Sequence, residues 1–211
     1  LDRELILNKT FYNKIFKQQG NFVNYIITYS PHTPFTTEKE VGKILAEEKY
    51  GKGNVPKLSE EDCAKMAASE TDNMVGLLIQ ALKDNGLYDN TVIVAYADHY
   101  LYTLDDKSIL DKYKETSNNL INHTPFFIWS SDLGQLTSIS KVNMQMDILP
   151  TVLNLFGIDY NSNNYIGHDI LSNDFKGYAF FSDYSWYDGK VYVENQQITN
   201  GKKMSKAKLD T

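Results

Sequence analysis

The side chains from which chemistry could be built are few: four histidines and one cysteine stand out in 211 residues. The most informative are Asp98 and His99. They follow directly on Thr91-Val92-Ile93-Val94-Ala95-Tyr96-Ala97, a nearly continuous apolar run that predicts a central parallel strand covered on both faces. Open α/β sheets place ligand sites at the carboxyl ends of such strands. An adjacent carboxylate and imidazole offer one hard oxygen and one borderline nitrogen to a divalent cation such as Mn²⁺ or Zn²⁺. The competing reading is a loop Asp capping a helix beside a solvated His; the strand-end position strengthens the ligand reading to parity and leaves both open. His32, in Tyr29-Ser30-Pro31-His32-Thr33-Pro34-Phe35, also lies just past a predicted buried strand. If the two strands are neighbours, His32 and Asp98-His99 share one rim of the sheet. Two flanking prolines stiffen the backbone, which suits a ligand-orienting group; an exposed turn histidine is the alternative. His123 enters the strand at residues 125–129 from its amino end, the wrong end for this rim, and is read as structural or surface. His168, in Ile166-Gly167-His168-Asp169, is read as a surface loop.

Other chemistries lack their residues. The sequence has no G-x-S-x-G elbow, no G-x-x-x-x-G-K-[ST] loop, no G-x-G-x-x-G and no H-E-x-x-H. It shows half of a metal site and no activated nucleophile, since a catalytic site of the zinc type has three protein ligands and an open position. Cys63 excludes an internal disulfide and, at helical spacing from Met66, Ala67 and Met74, is read as a packed apolar residue.

The elements that must hold these residues alternate. Asp2 is expected to cap a helix reaching about Phe16, with Leu5, Phe11, Tyr12, Ile15 and Phe16 facing a core. Residues 22–29 read as a strand, and Ser59-Glu60-Glu61-Asp62 opens a helix to about Asp84 that stops at Asn85-Gly86. Residues 91–97 and 125–129 are strands, with a polar irregular stretch over 100–122 between them. Asp147 to Phe156 is a helix with Pro150 in its first turn and Gly157 past its end. This order predicts a doubly wound α/β, mostly parallel sheet. Short antiparallel strands follow at residues 178–181 and 190–194, and residues 202–211 form a mobile tail. The organisation is read as 1–171 for the main part and 172–211 for antiparallel strands and tail of the same domain.

Composition bounds the function. A net charge of −6 argues against a nucleic-acid binder working by phosphate neutralisation. Arg3 is the only arginine among 21 Lys and Arg, so planar bidentate clamping is available only at the N-terminal edge. No window supplies the roughly 18 to 20 uncharged apolar residues of a membrane span. The start at Leu1, without Met, reads as an excised segment, with catalytic parts expected upstream.

Taken in order, these motifs resemble the lipoteichoic acid synthases, phosphoglycerol transferases of the sulfatase-like alkaline phosphatase superfamily. His32-Thr33-Pro34-Phe35 is similar to their N-H-F-P-F segment. Gly86-Leu87-Tyr88-Asp89-Asn90-Thr91-Val92-Ile93, leading into Ala97-Asp98-His99-Tyr100, resembles G-L-Y-D-N-[ST]-V-I…G-D-H-Y. Thr124-Pro125-Phe126-Phe127-Ile128 and the D-x-x-P-T-x-L-x-x-x-G helix at 147–157 match the superfamily, and Gly167-His168-Asp169-Ile170-Leu171 resembles its closing G-x-D-[IL]-[LF] element.

The resemblance implies the C-terminal portion of an extracellular catalytic domain with an alkaline-phosphatase/sulfatase-like fold, on the outer face of a Gram-positive cell membrane and anchored only through a missing N-terminal part. In that family a threonine attacks the phosphodiester of phosphatidylglycerol, and a Mn²⁺ is held by a Glu, that Thr, an Asp and a His. Asp98 and His99 match the last two ligands, with Zn²⁺, Mg²⁺ or Ca²⁺ as alternatives to Mn²⁺, and His32 matches a histidine that contacts glycerophosphate. The nucleophile and the Glu ligand are expected upstream of Leu1, so the implied partners are a glycerophosphate lipid and the upstream half of the same domain, with no nucleic acid. Leu101-Tyr102-Thr103 replaces the usual Gly-Ile-Ser, which bears on substrate choice. A sulfatase or phosphoethanolamine transferase and, from another class, a non-catalytic glycopolymer-binding module are the competing functions.

Overall fold

The structure, a computed structural model, describes residues 1–113 and 124–200. They fall into two units, Leu1–Gly134 and Gln135–Thr211. The first holds α1 (Glu4–Leu7), α2 (Lys9–Phe16), α3 (Glu40–Tyr50), α4 (Glu60–Asp84), β1 (Val92–Tyr96), α5 (Lys107–Tyr113) and β2 (Phe126–Ser130). The second holds α6 (Ile148–Leu155) and β3 (Ala179–Phe180), β4 (Trp186–Tyr187), β5 (Tyr192–Glu194) and β6 (Gln197–Asn200).

Helix α4 is the spine of the first unit. The Ser59 hydroxyl accepts the Asp62 N–H at 3.1 Å, three acids occupy the first turn, and Gly86 at φ +65° ends the helix; each feature satisfies or complements orphan backbone groups. Its C-terminal half contributes Met74, Ala81 and Leu82 to a core with Ile6 and Phe16, against which Tyr12, Ile15 and Ile93 pack. Its N-terminal half contributes Cys63 and Ala67 to a second core with Phe35, Leu104 and Ile109. Cys63 is thus buried, as its spacing predicts. Helix α3 packs through Gly42, where a Cβ would stand 2.1 Å from the Thr36 carbonyl oxygen.

Several expectations are corrected. Asp2 does not cap the first helix. Its buried carboxylate accepts the Tyr29 and Ser30 N–H groups at 2.8 and 3.0 Å and the Thr71 hydroxyl at 2.8 Å. The single expected helix is two, because Asn8 leaves helical geometry and its side chain caps α2 by accepting the Thr10 N–H. Residues 22–29 do not form the expected strand and carry no ladder. β1 and β2 form an antiparallel pair, Val92 opposite Ser130 through Tyr96 opposite Phe126, and every strand pair among the described residues is antiparallel. An apolar run reports burial, not direction, and β1 is only half-buried. The stretch 100–122 is not irregular throughout, since it contains α5. The expected mobile tail at 202–211 lies outside the described residues.

In the second unit the D-x-x-P-T helix has a readable purpose. The Asp147 carboxylate, 1% exposed, accepts the His168 N–H at 2.7 Å and the Met144 N–H at 2.9 Å. One turn on, the Thr151 hydroxyl donates to the Asp147 carbonyl at 2.6 Å and accepts the Ile170 N–H at 3.1 Å. Asp147 and Thr151 therefore hold the Gly167-His168-Asp169-Ile170 segment by alternate amides. Gly167 must be glycine, because a Cβ there would lie 1.9 Å from the Met146 carbonyl oxygen. Strands β3 to β6 follow as a meander in chain order, with β4 and β6 two strands beyond the pair that the sequence predicts.

Candidate functional site

Two loops of the first unit carry the residues singled out. The His32 loop follows residues 22–29 at Ser30 and sinks Phe35 into the second core; the Asp98-His99 loop leaves β1 and sinks Leu104, 1% exposed, into the same core. The segments before the loops also touch, through the Tyr25 and Tyr96 hydroxyls at 3.2 Å. That hydrogen bond, with burial, raises the Tyr96 phenol above its ordinary range. The far side of the second loop is pinned from α4 and α5. The Glu60 carboxylate accepts the Asp105 and Asp106 N–H groups, both at 2.8 Å, and the Lys107 ammonium donates to the Tyr102 and Leu104 carbonyls, both at 2.6 Å.

The two histidines are dressed alike. His99 Nδ1 lies 2.7 Å from the Tyr100 carbonyl, and His32 Nδ1 lies 2.7 Å from the Thr33 carbonyl. A carbonyl only accepts, so Nδ1 carries the proton in each ring, and a neutral imidazole then keeps its lone pair on Nε2. This backbone clamp is the usual way an imidazole is oriented toward a metal or an anionic oxygen. The His32 ring stacks on Tyr29 at 5.2 Å between centroids and 8° between planes, while His99 is tilted against Tyr102 at 4.7 Å. The positions of Tyr29 and Tyr102 against the rings depend on loop geometry and carry no signal in sequence.

His99 Nε2 stands 3.5 Å from Asp98 Oδ2, with the carboxylate side chain 82% exposed and the imidazole 40%. Two ligands of one ion, at the ~2.1 Å of a zinc–nitrogen bond and a tetrahedral angle, stand about 3.4 Å apart. The donor pair therefore suits a shared divalent cation, but it is only a pair. Among the described residues no group of three or more His, Cys, Asp and Glu side chains could hold a metal ion.

The remaining candidates lie elsewhere. His123 is outside the described residues. His168 is exposed in the second unit, its ring beside Tyr178 with Nδ1 3.3 Å from the phenol oxygen. Arg3 is corrected as a possible phosphate clamp, because its guanidinium is bound by Glu48 at 2.6 Å and by the buried Glu70 at 3.1 Å. Tertiary neighbours on α3 and α4 decide this, and nothing in the local sequence announces it.

The sulfatase family profile matches residues 4–158, the stretch that holds both loops and the Asp147 helix. The chain belongs to the sulfatase family. A lipoteichoic acid synthase of Staphylococcus saprophyticus is 30% identical over 204 residues, covering 90% of this chain and 30% of that protein. One of Staphylococcus aureus, strain USA300, is 30% identical over 212 residues, covering 93% and 31%. The crystal structure of the lipoteichoic acid synthase LtaP from Listeria monocytogenes superposes with a TM-score of 0.74 at 24% identity, over 99% of this chain and 56% of that one. This sulfatase-family chain thus has the alkaline-phosphatase/sulfatase-like α/β fold that its motifs predict. It spans about 30% of the length of the curated relatives it matches.

Proposed function

We propose that this chain is the C-terminal part of a metal-dependent phosphoglycerol transferase that acts on phosphatidylglycerol-type phosphodiesters in cell-surface polymer synthesis, at the extracellular face of a bacterial membrane. The observation that carries the reading is the converging pair Asp98 Oδ2 and His99 Nε2, 3.5 Å apart, inside the stretch that resembles lipoteichoic acid synthases. Asp98 and His99 would hold a divalent cation, Mn²⁺ first and Zn²⁺, Mg²⁺ or Ca²⁺ next. When bound, such an ion lowers the pKa of a coordinated hydroxyl and offsets charge on a phosphoryl oxygen. His32, its Nε2 left available by the Thr33 carbonyl, would contact the glycerophosphate. The further donors and the threonine nucleophile would come from the upstream half of the same domain. Among the described residues no helix is long and apolar enough to cross a membrane, so membrane attachment would also lie in another segment. The family profile favours one second reading, hydrolysis of a sulfuric ester, because sulfatases use the same kind of metal centre.

The test is calorimetric titration of the chain with Mn²⁺. Weak binding is expected, about 10-fold or more weaker in Asp98→Ala and in His99→Ala, as for loss of one ligand of a metal site. Affinity unchanged by both substitutions would sink the site assignment. Glycopolymer binding that survives chelator treatment would instead indicate a binding module.

A further inference from the structure

His32 sits on a loop that is held at both ends. At the exit Phe35 is buried in the second core. At the entry stands Asp2, a buried residue whose carboxylate is fully used. Its Oδ1 accepts the Tyr29 and Ser30 N–H groups at 2.8 and 3.0 Å, and its Oδ2 accepts the Thr71 hydroxyl at 2.8 Å. The Asp2 N–H in turn donates to Oγ of the buried Ser30 at 2.9 Å. Thr71 belongs to α4, so the loop entry is tied to the spine of the unit. From there the contacts run outward to the imidazole. The Tyr29 carbonyl accepts the His32 N–H at 3.0 Å, closing a turn over residues 29–32. The two rings of that turn lie stacked, 8° from parallel.

His32 is exposed, and an exposed imidazole samples several rotamers and both neutral tautomers unless its neighbours hold it. Burying a carboxylate is costly unless its oxygens are satisfied, and Asp2 satisfies them with the two amides that set this turn. We propose that Asp2 is a positioning residue for His32. By fixing amides 29 and 30 it seats the Tyr29 ring, and the stack on Tyr29 together with the Thr33 carbonyl at Nδ1 holds the imidazole in one tautomer. Nε2 is then the ring nitrogen left for substrate. Neutral, it accepts from a glycerol hydroxyl; protonated, it donates to a phosphate oxygen. This last step rests on the phosphoglycerol reading, whereas the positioning does not. The role is one of acceptor geometry and not of charge. An asparagine at this position keeps Oδ1 on both amides, and its NH₂ group donates to the Thr71 hydroxyl, which turns from donor to acceptor.

Nitrogen NMR of the histidine-labelled chain, without metal and at about pH 8.5, where an ordinary imidazole is neutral, reads the tautomer of His32 directly. The Nδ1–H form is expected to dominate about tenfold, the bias that one ordinary hydrogen bond supports. Asp2→Ala and Tyr29→Leu should each abolish that bias and give the mixture of a solvated imidazole, while Asp2→Asn and Tyr29→Phe should keep it. Amide protection in α4 shows which variants are folded. Tyr29→Leu, at a residue 60% exposed, keeps the test decisive if Asp2→Ala does not fold. The proposal is overturned by mixed tautomers in the parent, by a folded Asp2→Ala or Tyr29→Leu chain that keeps the bias, or by Asp2→Asn losing it as Asp2→Ala does. The function reading fails separately. An ordered His32 whose ring resonances ignore glycerol 1-phosphate, with Mn²⁺ binding indifferent to Asp98→Ala, supports positioning by Asp2 and sinks the phosphoglycerol assignment.

Discussion

A buried carboxylate that accepts two backbone N–H groups cannot be replaced by its own amide without orphaning one of them. Asp147 accepts from His168 and Met144, so Asp147→Asn should destabilise by about 1–3 kcal/mol, seen as a lower urea midpoint. The pH dependence has a definite sign. Burial pushes the Asp147 carboxyl above its usual 3.8, against the pull of the two N–H groups. The folded state then binds this proton more tightly than the unfolded state. The associated stability is fully present below pH 3.8 and is lost as pH rises through the raised folded value. Urea midpoints followed by tryptophan fluorescence should show that fall in the parent and lack it in Asp147→Asn; a parent without the slope would contradict the assignment. At this scale the sequence reveals groups whose chemistry is intrinsic, such as Asp98 beside His99. It misleads for Asp2 and Arg3, whose roles are set by Ser30, Thr71, Glu48 and Glu70 from distant segments.

Elements with strong local signals are legible to within a residue or two. Helix α4 announces itself by Ser59, its acids and Gly86, and α6 by Pro150 and Gly157. Removing the cap by Ser59→Ala should cost about 1 kcal/mol, measurable by chemical denaturation. Gly42→Ala should cost more, roughly 1–3 kcal/mol for overpacking, because the obstacle is the Thr36 carbonyl and not a movable side chain; equal stability would show that α3 can shift. What sequence does not convey is partnership. The apolar pattern at residues 22–29 predicts a strand that is not formed among the described residues, because pairing depends on which neighbour is present. The antiparallel register of β1 with β2 likewise depends on how the chain returns after residue 97. Helix α3 lies in a stretch left without an assigned element, its weak amphipathic pattern interrupted by Gly42.

For the whole molecule, the fold class was legible because motifs recur in one collinear order from residue 32 to residue 171, not because any single periodicity required it. The candidate site was legible only as its own two donors and one histidine; the supporting contacts of Glu60, Lys107, Tyr29 and Tyr102 arise from folding. A chain that spans about 30% of its relatives and presents, under the proposed function, only two of the metal's donors is expected to show no phosphodiesterase turnover by itself, assayed with a chromogenic phosphodiester and Mn²⁺. Robust turnover abolished by a Ser or Thr substitution within these residues would relocate the nucleophile. Cys63 and Ala67 beneath Phe35 and Leu104 have one more consequence. Both loops rest on the same few side chains, so the seating of each is inherited from the volume under them. Because a packed interior transmits strain, one methylene more or less at Cys63 should displace both loops together, although Cys63 itself belongs to neither.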